Sequence, residues 1–315
     1  MISHAPDREE TPLLWDVHCH FPRNWENPDD PQHEKAIDSR ADALRAVGVT
    51  RVSLLCGGRF GLSYEESLVY ARRHEDLFVP SATVDPEELT PRELRQLHQM
   101  GYRGLKIIGT RRAYDDYKYF PLYQVAEDLR MPVLFHLGVI GGGIDYSITH
   151  PRRDPAAAAN LRRMEEMAQA GQATPGSGGR RWMRDVSAAR MRPFHLDTLA
   201  NNFPDLRIIG AHMGGTGNYD EAASVARWRR HVYFDLSGGD TIERHAVERR
   251  LVGYEIGVEK LTWGSDCRTE EIASHVEHLE QIFEQCGLTE DERDRIRYWN
   301  AAEIFGEAEP VLAAE

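Results

Sequence analysis

A chain of 315 residues with 41% hydrophobic and 28% charged side chains has the composition of a soluble globular protein and enough length for one large core. Its formal charge of −13, with no long basic run, argues against a binder of nucleic acid or of anionic membranes. No apolar run nears the ~20 residues needed to span a bilayer, residues 1–11 lack the apolar stretch of a secretory leader, and Cys19, Cys56, Cys267 and Cys286 form no CxxC pair, so a cytoplasmic location is expected.

The first predicted element is an apolar strand at 13–17, followed by a helix at 34–47 that ends at Gly48. Strands at 52–55 and 78–83 come next. Thr90-Pro91 with Glu93 reads as a cap and first helical position ahead of Leu94, Leu97 and Met100, and Gly101 is the stop. A strand at 104–108, a helix at 122–129 and a strand at 133–135 continue the rhythm, which 140–193 then interrupts. That stretch holds Gly141-Gly142-Gly143, a predicted helix at 155–169 and the glycine-rich 171–179, and its length suits a lid. Strands at 207–211, 232–236 and 261–264 follow, and Thr289 with Glu292 marks a capping box.

Continuous apolar strands alternating with helices eight times predict a parallel sheet buried on both faces. The fold expected is α/β, a single (β/α)8 TIM barrel over 12–308 with a long insertion after strand 5. The alternative is a doubly wound open sheet, but no glycine-rich phosphate loop follows the first strand.

Polar residues end several of these strands. With 14 histidines in the chain, about 0.6 His-x-His pairs are expected by chance, so His18 and His20 alone decide nothing. Their context decides more. Alternation along a strand puts Asp16, His18 and His20 on one side, and two neighbouring imidazoles suit Zn2+. His136, His212 and Asp266 close or follow three further strands, and Lys106 lies within another. Barrel enzymes place their active sites at that end of the strands. Gathering such groups around a cation avoids burying each one unpaired, at several kcal/mol apiece. Asp16 is expected to support the site. Asp235 is expected to satisfy backbone groups, His195 to be structural, and Cys19 and Cys267 to face away.

The segments Asp16-Val17-His18-Cys19-His20, Pro132-Val133-Leu134-Phe135-His136, Ala211-His212-Met213-Gly214-Gly215, Gly264-Ser265-Asp266 and Asn300-Ala301-Ala302-Glu303-Ile304-Phe305-Gly306 resemble the amidohydrolase superfamily, branch 2, from 16 to 306. His20-Phe21-Pro22-Arg23-Asn24-Trp25 is locally similar to aminocarboxymuconate semialdehyde decarboxylase. The resemblance implies a divalent metal, Zn2+ first, held by His18, His20, His136 and Asp266, with one ion expected rather than two. Asp266 and His212 would be catalytic. Asp266 would take the proton of an activated water, and His212 would polarise a carbonyl or hold a proton. In two-metal relatives a lysine on the fourth strand is carboxylated and bridges the ions, with the sixth-strand histidine as a ligand. Lys106 and His212 match those places and tilt the expectation to hydrolysis of a small amide, lactone or ester. A non-oxidative decarboxylase of an aromatic or unsaturated acid is the second reading. A non-catalytic barrel with a structural metal is the third, disfavoured because structural zinc shells are usually cysteine-rich. Arg59, Tyr146, Arg190 and Arg192, with His150, are the expected contacts to an anionic substrate. A small molecule is the expected partner, with a homodimer as the prior for assembly.

Overall fold

A computed structural model describes residues 13–22, 32–57, 62–140, 162, 166, 186–238 and 240–307. Eight strands form one sheet in sequence order: β1 (Leu14–His20), β2 (Val49–Cys56), β3 (Phe78–Val84), β4 (Gly104–Ile107), β5 (Val133–Phe135), β6 (Ile208–Gly210), β7 (Val232–Asp235) and β8 (Leu261–Thr262). Every neighbouring pair is parallel. β8 returns to β1 through Val17 N–H donating to Trp263 O at 3.0 Å and Asp266 N–H donating to His18 O at 2.7 Å. The expected (β/α)8 barrel is therefore the observed one, and all eight predicted strands are present. The lid expected at 140–193 falls almost wholly outside the described residues, as does its helix at 155–169.

Helices α1 (His33–Ala46), α2 (Tyr64–Ala71), α3 (Pro91–Met100), α4 (Phe120–Asp128), α5 (Pro193–Asn202), α6 (Tyr219–Trp228), α7 (Asp240–Glu248) and α8 (Ile272–Cys286) surround the sheet. Two short helices, α9 (Glu290–Asp294) and α10 (Asn300–Phe305), end the described chain. The predicted caps form as read. Thr90 accepts from Glu93 N while the Glu93 carboxylate accepts from Thr90 N, and Thr289 with Glu292 does the same. Caps of this kind are worth about 1 kcal/mol each.

Alternation along the strands sorts the core into two layers. Outward residues such as Val52, Phe78, Leu105, Val133 and Ile208 pack under the helices with Ile37, Leu44, Leu94 and Leu97. Inward residues Leu134, Ile209 and Tyr233 form a second cluster with Trp15, Val17 and the α10 residues Ala301, Ala302 and Ile304. Asn300 Nδ2 donates to Val258 O and Leu261 O, fixing α10 beneath β8, and Trp15 stacks on Phe305 with ring centroids 5.3 Å apart. The N-terminal end of the barrel is thus filled with apolar side chains, and the polar ones gather at the other end.

β1 departs from the expected alternation. Trp15 and Val17 belong to the inner cluster, yet Cys19 belongs to the outer one. The register against β2 shifts between Asp16 and Cys19, as an extra residue in the strand would produce. Asp16 therefore does not share a side with His18 and His20. It lies on the outer side of β1, where Oδ1 accepts His18 N–H and Ser265 N–H, each at 2.9 Å. The irregularity turns both histidines inward and leaves Cys19 facing away.

β8 can reach β1 because position 264 has no side chain. A Cβ on Gly264 would lie 2.6 Å from His18 Cβ. Gly264→Ala is expected to cost about 1–3 kcal/mol through this overpacking. Urea denaturation of the metal-free protein should show it as a lower midpoint at unchanged slope, and an unchanged midpoint would mean that the two strands are not held this closely.

Candidate metal centre

The inward polar residues meet at the C-terminal ends of β1, β4, β5, β6, β7 and β8. The side-chain atoms of His18, His212 and Asp266 that could bind a cation all lie within 4.8 Å of one another. Asp266 Oδ1 is 3.3 Å from His20 Nε2 and 3.6 Å from His18 Nε2, and its Oδ2 is 3.7 Å from His212 Nε2. His136 Nδ1 is 3.2 Å from His212 Nε2. Lys106, fully buried, places Nζ 3.0 Å from His18 Nε2. All six residues expected at the site come together. The group within 4.8 Å contains His212, to which the resemblance gave a catalytic part and, with Lys106, a place at a second ion, whereas it made His20 and His136 ligands of the first.

Local backbone form aims these groups. His212 and Met213 adopt left-handed conformations, φ 57° and 52°, in the turn Ala211–Gly214, and Asp266 does so at φ 43°. Such conformations cost a non-glycine residue about 1–3 kcal/mol and persist only where surrounding contacts hold them. Here His212 N–H donates to Asp235 Oδ1 at 2.8 Å, and Asp266 N–H donates to His18 O. Gly138 and Gly215 bring the loops after β5 and β6 together, since a Cβ on Gly215 would lie 2.5 Å from Leu137 O. That close approach is what lets His136 touch His212.

The ring nitrogens can be assigned from their partners. His18 Nδ1 is 2.9 Å from Asp235 Oδ2, an ionised acceptor, so Nδ1 carries the proton and Nε2 is a lone pair. His136 Nε2 lies 3.4 Å from Val139 O, a long contact, and its Nδ1 shares one proton with His212 Nε2 across 3.2 Å. Burial, with the nearby His212 and Lys106, holds His136 well below its ordinary pKa. Burial also lowers His212, against the pull of Asp266. Burial opposes the ionisation of Asp266, but the surrounding imidazoles and Lys106 outweigh it and hold the carboxyl well below its usual range. Burial brings Lys106 down to about 8, with Asp266 and Asp235 opposing. Neutral imidazoles whose lone pairs converge beside a carboxylate are the chemistry of a divalent-cation site.

Several residues outside this group can also be placed. Asp235 does more than satisfy backbone groups, because its other oxygen orients His18. Its signal was available in the sequence, a carboxylate ending an apolar strand, as His136 ends another. Tyr114 OH donates to His136 O at 2.7 Å, and no motif announces it. His195 pairs with Asp115 Oδ1 at 2.8 Å. Arg192 is engaged by the Glu221 carboxylate, and Arg190 O accepts from Tyr114 N–H. Arg59, Tyr146 and His150 lie outside the described residues.

A parallel eight-stranded barrel with histidines and an aspartate collected at the C-terminal rim is the layout of barrel enzymes that use a cation. The chain belongs to the amidohydrolase family, whose sequence model matches residues 15–306. The family is metal-dependent and its enzymes act on small molecules. No curated protein matches the sequence. Among solved structures, 5-carboxyvanillate decarboxylase from Sphingomonas paucimobilis is similar at 16% identity and a TM-score of 0.60, covering 94% of this chain and 99% of that one. A probable 2-pyrone-4,6-dicarboxylic acid hydrolase from Acinetobacter baumannii, with citric acid bound, is similar at 16% identity and a TM-score of 0.56, covering 93% and 99%. A second 5-carboxyvanillate decarboxylase, from Novosphingobium aromaticivorans with bound manganese, is similar at 14% identity and a TM-score of 0.56, covering 95% and 98%. At these identities the likeness concerns the fold. No helix among the described residues is long and apolar enough to cross a membrane.

Asp235→Asn weakens the partner of His18 Nδ1–H without removing side-chain volume. Loss of such a supporting acceptor typically costs 10–100-fold in metal affinity. Chelator competition should show a drop of that size, and wild-type affinity would show that Asp235 does not orient His18.

Proposed function

We propose that this chain is a metal-dependent hydrolase of a small, carboxylated lactone, amide or ester. The observation that supports hydrolysis is Lys106, buried inside the cluster with Nζ 3.0 Å from His18 Nε2. A free ammonium there would repel an incoming cation, whereas a lysine carboxylated on Nζ would attract it and add a ligand. Its depressed pKa makes the neutral, reactive amine accessible near neutral pH. The residues proposed to hold the ion are His18, His20, His136 and Asp266, with Lys106 and His212 available to a second. Imidazole and carboxylate donors suit Zn2+ first. When bound, the cation supplies a Lewis acid for the substrate carbonyl and makes a water acidic enough to ionise near neutral pH.

The chain's own groups then have distinct parts. Asp266 is ionised and acceptor-only, so it takes the proton of the attacking water and later delivers it to the leaving group. His212, held below its ordinary pKa by burial, acts as ligand or proton acceptor. Arg59 remains the proposed anchor for a substrate carboxylate.

Decarboxylation is the second reading, favoured if Lys106 stays an ammonium and pairs with a substrate carboxylate. Both activities occur in the names of similar solved structures.

Pyrone dicarboxylates and hydroxybenzoates incubated in 18O-water separate the two readings. Hydrolysis is expected to place one labelled oxygen in the product and release no CO2. CO2 release without label would overturn it. Asp266→Asn is expected to lower kcat by about 10²–10⁴-fold, the range of a lost general base.

A further inference from the structure

Two residues beyond β7, Ser237 places a buried hydroxyl between three partners. Its Oγ is 2.6 Å from Asp235 Oδ1, 3.0 Å from His212 Nδ1 and 3.1 Å from His18 Nδ1. A hydroxyl has one proton and two lone pairs. The Asp235 carboxylate can only accept, and the shortest contact is to it, so the Ser237 proton goes there. Both ring nitrogens facing Oγ must then be donors.

We propose that Ser237 is a positioning residue: with Asp235 it holds His18 and His212 together in the Nδ1–H tautomer, so that both Nε2 lone pairs point at the position a cation would take beside Asp266. The two Nε2 atoms are 3.6 Å and 3.7 Å from the Asp266 oxygens. His18 has a second acceptor for its Nδ1–H in Asp235 Oδ2. For His212 Nδ1, Ser237 Oγ is the hydrogen-bond partner found. His212 therefore depends on the hydroxyl more than His18 does.

The opposite tautomer is disfavoured by the same geometry. It would require the hydroxyl to turn from Asp235 toward His212 Nδ1. Asp235 Oδ1 would then keep only the backbone N–H groups of His212 and Ser237, at 2.8 Å and 3.2 Å. It would also make His212 Nε2 the donor to His136 Nδ1 at 3.2 Å, a sound hydrogen bond in itself but one that takes the Nε2 lone pair away from a cation. One oxygen of Asp235 thus receives the His212 backbone, the Ser237 backbone and the Ser237 hydroxyl, so the left-handed turn at His212 and the hydroxyl that faces its ring share one acceptor.

The inference rests on the metal-dependent reading but not on which bond is broken. Wild type, Ser237→Ala and Ser237→Thr are compared as full chains, first by thermal melting. Zn2+ affinity is measured by chelator competition, and the imidazole tautomers by 15N NMR of the zinc form. Ser237→Ala is expected to bind Zn2+ 10–100-fold more weakly and to show a mixed tautomer at His212. Ser237→Thr, which keeps the hydroxyl, is expected to restore both, and at least the tautomer if its methyl group perturbs packing. A purely structural serine would lower the melting temperature without changing the tautomer. Wild-type Zn2+ affinity in Ser237→Ala, or a His212 ring still wholly Nδ1–H, would overturn the proposal. Failure of the wild-type enzyme on every lactone and ester would sink the hydrolase reading and leave the Ser237 result standing.

Discussion

The site depends on how β8 closes onto β1. Two backbone hydrogen bonds make the seam, and one of them runs from Asp266 to His18, so the joint and the cluster share residues. Asp16 clamps the same seam from outside by accepting one N–H from each strand. Its second oxygen is buried and has no partner among the described residues, and burial pushes the carboxyl above its usual range. A buried acceptor left single is costly. Asp16 therefore makes sense as a residue kept to hold the bulge in β1, without which His18 and His20 would take the opposite phase.

That bulge also marks where reading the sequence stops working. The strands were legible because burial on both faces writes continuous apolar runs, and the helix starts because Thr90 with Glu93 and Thr289 with Glu292 are local devices. The rim residues were legible because polar side chains that end apolar strands have few other uses. An irregularity in pairing has no such mark. Asp16-Val17-His18-Cys19-His20 reads as clean alternation, and only the partition of Trp15, Val17 and Cys19 between inner and outer layers reveals the shift. Ser237 was illegible for a different reason. A serine beside two glycines looks like any loop, and its part depends on two rings more than 20 residues and 200 residues away.

Backbone strain and electrostatics support each other at the rim. His212 and Asp266 sit in conformations that chain propensity disfavours, and each is held there by a hydrogen bond from its own N–H to another member of the cluster. Asp235 links both kinds of constraint. One of its oxygens fixes the backbone of His212, and the other fixes the ring of His18. Removing its charge would loosen a turn and a tautomer together.

The same logic bears on why the centre tolerates a buried lysine. Lys106 is inward by strand alternation, between outward Leu105 and Ile107, and its side chain is fully buried. Asp266 and Asp235 offset part of the burial cost, but not all, since the group still titrates well below an ordinary lysine. A residue that weakens the empty barrel is retained most readily where loading removes the penalty. Carboxylation of Nζ would turn the group from a cation that repels a metal into an anion that binds one. The stability of the empty fold and the chemistry of the loaded site would then make opposite demands on Lys106.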